Sequence, residues 1–222
     1  MTSNMLELFW ISGSPFSWRV MLMMEAKEIP YTPRLLQASQ GELKTREFLL
    51  LNPRGKVPTL RDGDVVLSES IAIMQYLEGK YPARPMFGRT TRGTATIWRV
   101  ISEFTSYVQP PLGRVNYPLL SGKSKEAAAD VTAALADVYT ELDKLEVSLA
   151  NIPWLAGMEI TAADTMAYPF LKLLWRSATK EAASQFELGP SLLQRRYPRL
   201  VQWMERLEQL PGYERTYPPH WQ

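Results

Sequence analysis

The sequence contains no cysteine and a single histidine, His220, among its 222 residues. The first absence excludes disulfides, thiolate zinc sites, iron–sulfur clusters and any mechanism built on a protein thiol. The second excludes a multi-histidine metal site and leaves little room for a Ser-His-Asp triad, so no metal is expected. Lys and Arg number 25 against 23 Asp and Glu, a net charge of +2. That balance carries no footprint for nucleic acid. No apolar run reaches the roughly 18 residues of a membrane-spanning helix, and the first ten residues lack the basic segment and apolar core of a secretory leader. A cytoplasmic protein with neither nucleic-acid nor membrane partners is expected. Any chemistry must use a reactive group that the chain does not itself supply.

What is present is ordinary for a globule with a substantial core: 45% hydrophobic and 22% charged residues. The first 81 residues read as mixed α/β. A short apolar strand over residues 6–10 is closed by Ser12-Gly13-Ser14-Pro15. A methionine-rich helix follows over residues 16–26, and its methionines read as core filler. Residues 31–36 form a second strand, which Pro33 places at a sheet edge. A polar stretch leads to a short irregular helix near residues 48–51. Two strands at 57–61 and 65–67 flank Asp62-Gly63-Asp64, a hairpin signal, and a helix runs from Ser68 to Tyr81. The order is βαβαββα.

Residues 82–93 hold Pro82, Pro85, Gly88 and Gly93 and read as a linker. Residues 94–222 read as all helix. Val131, Leu135, Val138, Leu142, Leu145 and Leu149 step by four and three along one face. Ala163, Met166, Ala167, Phe170, Leu171 and Leu174 repeat that pattern.

Three clusters of the first domain could carry chemistry. Ser12, Ser14 and Ser17 surround a strand-to-helix turn, where a hydroxyl lies beside unpaired N–H groups and the positive helix end. Such a turn caps a helix and equally holds an anion, including a thiolate. Asn52-Pro53-Arg54-Gly55-Lys56-Val57-Pro58 leads a proline into a strand, where a ladder donor is lost. A cis Val57–Pro58 bond would turn the Val57 backbone toward a peptide-like ligand, whereas a trans edge proline would be unremarkable. Glu69 and Ser70 open a helix. There the serine suits a carboxylate and the glutamate an ammonium, together an amino-acid zwitterion, although capping alone also explains the serine.

In order and spacing these clusters resemble the glutathione-site motifs of the glutathione transferases, across essentially the whole chain. Ser14-Pro15-Phe16 with Arg19-Val20, Asn52-Pro53 before Lys56-Val57-Pro58, and Glu69-Ser70 carry the resemblance. Thr161-Ala162-Ala163-Asp164 matches the family's helix-capping box. The resemblance implies a thioredoxin-like α/β domain followed by an all-α domain that contributes an electrophile site, with glutathione as co-substrate and a homodimeric assembly.

It also implies roles. Ser14 would hydrogen-bond the glutathione sulfur, as in the serine-type phi, tau, theta and zeta classes, with Ser12 and Ser17 as alternative holders of that role. Val57, before cis Pro58, would pair with the cysteinyl backbone. Glu69 and Ser70 would anchor the γ-glutamyl end, and Lys44 and Lys56 the glycyl carboxylate. Phe16, Trp98, Tyr107 and Tyr117 would wall an electrophile pocket between the domains, with residues 217–222 as a cap.

Two departures stand out. Leu43 occupies the place of a histidine frequent in phi-type chains, and the turn lacks the Ser-Ser-Cys of zeta-type isomerases. Without cysteine the cysteine-type branches are excluded. Transfer is the activity implied. Peroxide reduction, dehalogenation or isomerisation on the same thiolate, and a non-catalytic interaction module, are the alternatives.

Overall fold

The computed structural model describes residues 6–221. The leader-free start read above rests partly on residues 1–5, which lie outside the described residues, as does Gln222 of the expected cap. The chain divides into two compact units, Met1–Met86 with Gln209–Gln222, and Phe87–Glu208.

The first unit is built on a four-stranded sheet of order β2-β1-β3-β4. Strand β1 (Leu6–Trp10) is central and buries Leu6, Leu8 and Trp10 in strict alternation. Helix α1 (Pro15–Ala26) crosses to β2 (Tyr31–Leu35), which pairs parallel to β1. Pro33 sits in β2 at the sheet edge, as its missing N–H requires. Residues 38–44 form two 3₁₀ turns before α2 (Arg46–Leu51). Strands β3 (Thr59–Asp62) and β4 (Val65–Ser68) form the expected hairpin around Gly63 and pair antiparallel. Strand β3 begins at Thr59, not at 57, because Pro58 cannot join the ladder. Helix α3 (Ser70–Lys80) begins two residues later than the sequence suggests, because Glu69 leaves the helical region at φ 67°.

Helix α1 is buried from Ser17 through Glu25, with Met21, Met23 and Met24 almost fully enclosed. It packs against α3.

The second unit is helical: α4 (Thr91–Glu103), a π-turn at Phe104–Val108, α5 (Gln109–Ser121), α6 (Ala128–Ser148), α7 (Ala162–Ala178), α8 (Pro190–Arg196) and α9 (Pro198–Glu208). The expected stripe of α6 is buried at Val131, Leu135, Val138 and Leu142. Helix α7 is its centre, with the predicted Ala163, Met166, Ala167, Phe170, Leu171 and Leu174 all buried. Its capping box forms as expected, with the Asp164 carboxylate accepting the Thr161 N–H at 2.8 Å.

The chain then returns to the first unit. Helix α10 (Tyr213–Thr216) packs along α1, where Trp18 Nε1 donates to Thr216 Oγ1 at 2.8 Å. Residues 209–222, read from sequence as part of the helical domain, therefore belong to the α/β unit. Among the described residues no helix is long and apolar enough to cross a membrane.

Candidate functional site

Ser14 is the N-cap of α1. Its backbone is extended, and its Oγ accepts the Ser17 N–H at 3.2 Å. Pro15 fills the first helical position, where a missing N–H costs nothing. Capping and anion holding are compatible here: the oxygen accepts from the helix while the hydroxyl proton remains to be donated. Ser17, by contrast, is fully buried, and its Oγ has no hydrogen-bond partner among the described residues. Ser12 Oγ lies 2.5 Å from His220 Nδ1. Between them Gly13 takes φ 81°, a conformation that favours glycine.

The loop before β3 is organised by Asn52, which is buried. Its Nδ2 donates to the Lys56 carbonyl at 2.8 Å and to Thr59 Oγ1 at 3.1 Å, and its Oδ1 accepts the Arg54 N–H. The Val57–Pro58 bond is cis. Gly55 is buried at φ 59°, and a Cβ there would meet the Leu43 carbonyl at 2.8 Å and Lys44 Nζ at 3.1 Å. Lys44 thus reaches the loop that carries Lys56. Both lysines are exposed.

Ser70 heads α3 and is buried, next to exposed Glu69. Arg19, on α1, donates to Ser70 Oγ from Nε at 2.9 Å and from Nη2 at short range. Two donors occupy both lone pairs of that oxygen, so its own proton is the group left to offer a ligand. Burial pulls the Arg19 pKa down to about 10, with Glu69 acting the other way. The guanidinium stays charged at neutral pH. Glu69 is one of three non-glycine residues with positive φ among those described. Such backbone persists only where its surroundings dictate it.

The structure therefore brings Ser14 and Ser70 to two helix N-termini that Arg19 joins, and it brings Lys44 to the loop of Lys56, Val57 and Pro58. Of the aromatic candidates, Phe16 belongs to the first unit and Trp98, Tyr107 and Tyr117 to the second. Phe16 is exposed on α1 beneath the Arg19 guanidinium, 5.0 Å from the ring centre. Trp98 is half-buried against Phe87 in the helical unit, with ring centres 5.2 Å apart. Tyr107 and Tyr117 are exposed. Tyr107 lines a cavity of about 320 Å³ with residues of α4 and α6; neither Trp98 nor Tyr117 does.

A larger cavity of about 490 Å³, bordered by Phe9, Arg34, Glu42 and Phe48, lies elsewhere on the first unit and includes none of the polar site residues. Sequence reasoning gave Arg19 and Asn52 no roles of their own, and it did not link His220 to Ser12. The first and last act across 51 and 208 residues of chain. Asn52 was signalled only by its place at the head of an Asn-Pro turn.

Residues 13–80 match the glutathione S-transferase N-terminal domain and residues 104–211 the glutathione S-transferase C-terminal domain. The chain is 30% identical to glutathione S-transferase theta-2B of Homo sapiens, covering 94% of this chain and 83% of that one. It is 27% identical to glutathione S-transferase A of Pleuronectes platessa, over 96% and 92% of the two chains. The crystal structure of a glutathione S-transferase from the Antarctic clam Laternula elliptica superposes with a TM-score of 0.81 at 30% identity, over 98% and 94% of the chains. The two-part fold, the paired helix termini and these likenesses agree, and the chain belongs to the glutathione S-transferase family.

Proposed function

We propose that the first unit binds glutathione across the N-termini of α1 and α3 and holds its sulfur as a thiolate that attacks a small hydrophobic electrophile. The observation that carries this reading is the Arg19–Ser70 contact, which ties the two termini together and leaves the Ser70 proton free to donate. Ser70 then meets the γ-glutamyl carboxylate and Glu69 its ammonium. The Val57 backbone pairs with the cysteinyl residue. Lys44 and Lys56 meet the glycyl carboxylate, and Ser14 donates its hydroxyl proton to the sulfur.

A free thiol titrates near ~8.5, so only a few per cent is thiolate at pH 7. A charge-assisted hydrogen bond contributes about 1.5–3 kcal/mol, enough to raise the thiolate share at least tenfold. The thiol proton passes to solvent. The sulfur electron pair then forms the new S–C bond, and a leaving group departs with its own pair. No protein thiol, histidine or metal enters these steps, in keeping with a chain that has no cysteine. Peroxide reduction, dehalogenation and isomerisation would draw on the same thiolate and differ in the electrophile presented.

Retention on immobilised glutathione followed by conjugation of chlorodinitrobenzene tests the reading. Ser14→Ala should remain bound to the matrix while conjugation slows at least about tenfold, a barrier increase of ~1.4 kcal/mol or more. An unchanged rate would remove Ser14 from the sulfur. Failure of the unaltered protein to bind would defeat the proposal as a whole.

A further inference from the structure

The lone histidine lies on the turn that carries Ser14. A Cβ placed on Gly13 would come within 2.8 Å of His220 Cε1 and 3.4 Å of Trp221 Nε1, so the imidazole rests directly against the Gly13 backbone. On one side His220 Nδ1 is 2.5 Å from Ser12 Oγ. On the other, Trp221 Nε1 donates to His220 Nε2 at 3.0 Å. An indole N–H only donates, so Nε2 is the accepting nitrogen, and the proton of the neutral ring sits on Nδ1, directed at Ser12.

This segment is held firmly. Thr216 is buried and accepts from Trp18, while the rings of Tyr217 and Trp221 both stand edge-on to Trp18, with centres 5.8 and 5.4 Å away. A run of aromatic contacts along α1 thus ends in a directed hydrogen bond two residues ahead of the N-cap serine.

We propose that His220 is a positioning residue of the glutathione site, acting through Ser12 to fix the turn that aims the Ser14 hydroxyl at the sulfur. The proposal rests on the reading of Ser14 given above. Loss of the bond would let the Ser12–Gly13 turn relax and the Ser14 proton lose its aim, weakening the stabilisation of thiolate more than the hold on the tripeptide.

His220→Phe keeps a ring against Gly13 and removes the donor; His220→Asn restores a donor near the place of Nδ1. His220→Phe is expected to lower kcat about tenfold, the scale of one lost hydrogen bond, with the KM for glutathione within about twofold. The apparent pKa of the bound thiol, followed by thiolate absorbance, should rise. His220→Asn should recover most of kcat. Ser12→Ala should match His220→Phe, and the double variant should lose no more than either single one. Unchanged kcat in His220→Phe, equal losses in the Phe and Asn variants, or additive losses with Ser12→Ala would each overturn the proposal while leaving glutathione transfer intact. Failure of the unaltered protein to bind immobilised glutathione would instead defeat the underlying reading, and this inference with it.

Discussion

Ser70 and Arg19 show how a single hydroxyl acquires a direction. A serine oxygen on its own accepts or donates with equal ease. With two guanidinium donors on it, Ser70 is left to donate, and a carboxylate is the natural recipient. Arginine does this because its donors are fixed in one plane; lysine offers a single rotating ammonium. Arg19→Lys should therefore raise the KM for glutathione about tenfold, one charge-assisted hydrogen bond's worth, while kcat at saturation changes less. Initial-rate kinetics over a range of glutathione concentrations reads this directly. A fall in kcat at unchanged KM would place Arg19 at the sulfur instead. Ser14 was legible in the sequence because cap chemistry is local and restricted to few residue types. Glu69 and Ser70 were legible as a carboxylate and a hydroxyl opening a helix, although the Glu69 side chain makes no cap bond. The φ of Glu69 was not, since no propensity scale expects glutamate in that region. Nor was the partnership of Arg19, which only the packing of α1 on α3 creates.

Among the elements, α7 shows how one cap can organise a unit. Asp164 is fully buried and accepts four hydrogen bonds, from the Thr161 N–H and hydroxyl, the Leu155 N–H and Trp203 Nε1. Burial pushes its carboxyl pKa up, and those four donors pull the other way. The box was legible as Thr161-Ala162-Ala163-Asp164. The reach to Leu155 and Trp203 was not, because it depends on where α9 and the preceding loop pack. Asp164→Ala removes the acceptor and strands buried donors, and should cost about 3 kcal/mol or more of stability. Denaturant unfolding of the full chain measures this, and a loss below about 1 kcal/mol would reduce Asp164 to an ordinary cap.

The same contrast runs through the other elements. The order βαβαββα was readable from hydrophobic period and turn residues, and β1 and β2 fall almost where that reading puts them. The starts of β3 and α3 shifted by two residues, at Pro58, which has no N–H for the ladder, and at Glu69, whose φ is positive.

At the scale of the whole molecule, the α/β unit is discontinuous. Its sheet and first three helices come from residues up to Met86, yet Gln209–Gln222 completes it after the entire helical unit has intervened. Sequence could not reveal this, since nothing in residues 211–221 distinguishes a partner in one unit from a partner in the other. The contacts that decide it are specific. Glu25 is buried on α1, where Arg215 pairs with it and the Tyr31 hydroxyl donates to it at 3.3 Å. Gly212 sits at φ 83° where any Cβ would overlap the Glu25 carboxylate. Tyr213 and Thr216 are buried, and Thr216 takes the Trp18 indole N–H. Removing residues 212–222 would uncover Trp18 and take Arg215 away from the Glu25 carboxylate, at a cost of several kcal/mol from lost apolar burial. That loss belongs to the unit holding α1. Native-state hydrogen exchange of the truncated chain should accordingly show the amides of α1 and β1 losing protection by two or more orders of magnitude, each ~1.4 kcal/mol being one such order, while those of α6 and α7 keep theirs. Equal loss in both units would mean that the segment stabilises the chain as one cooperative body. Unchanged protection in α1 would mean that the first 86 residues are sufficient for their own fold.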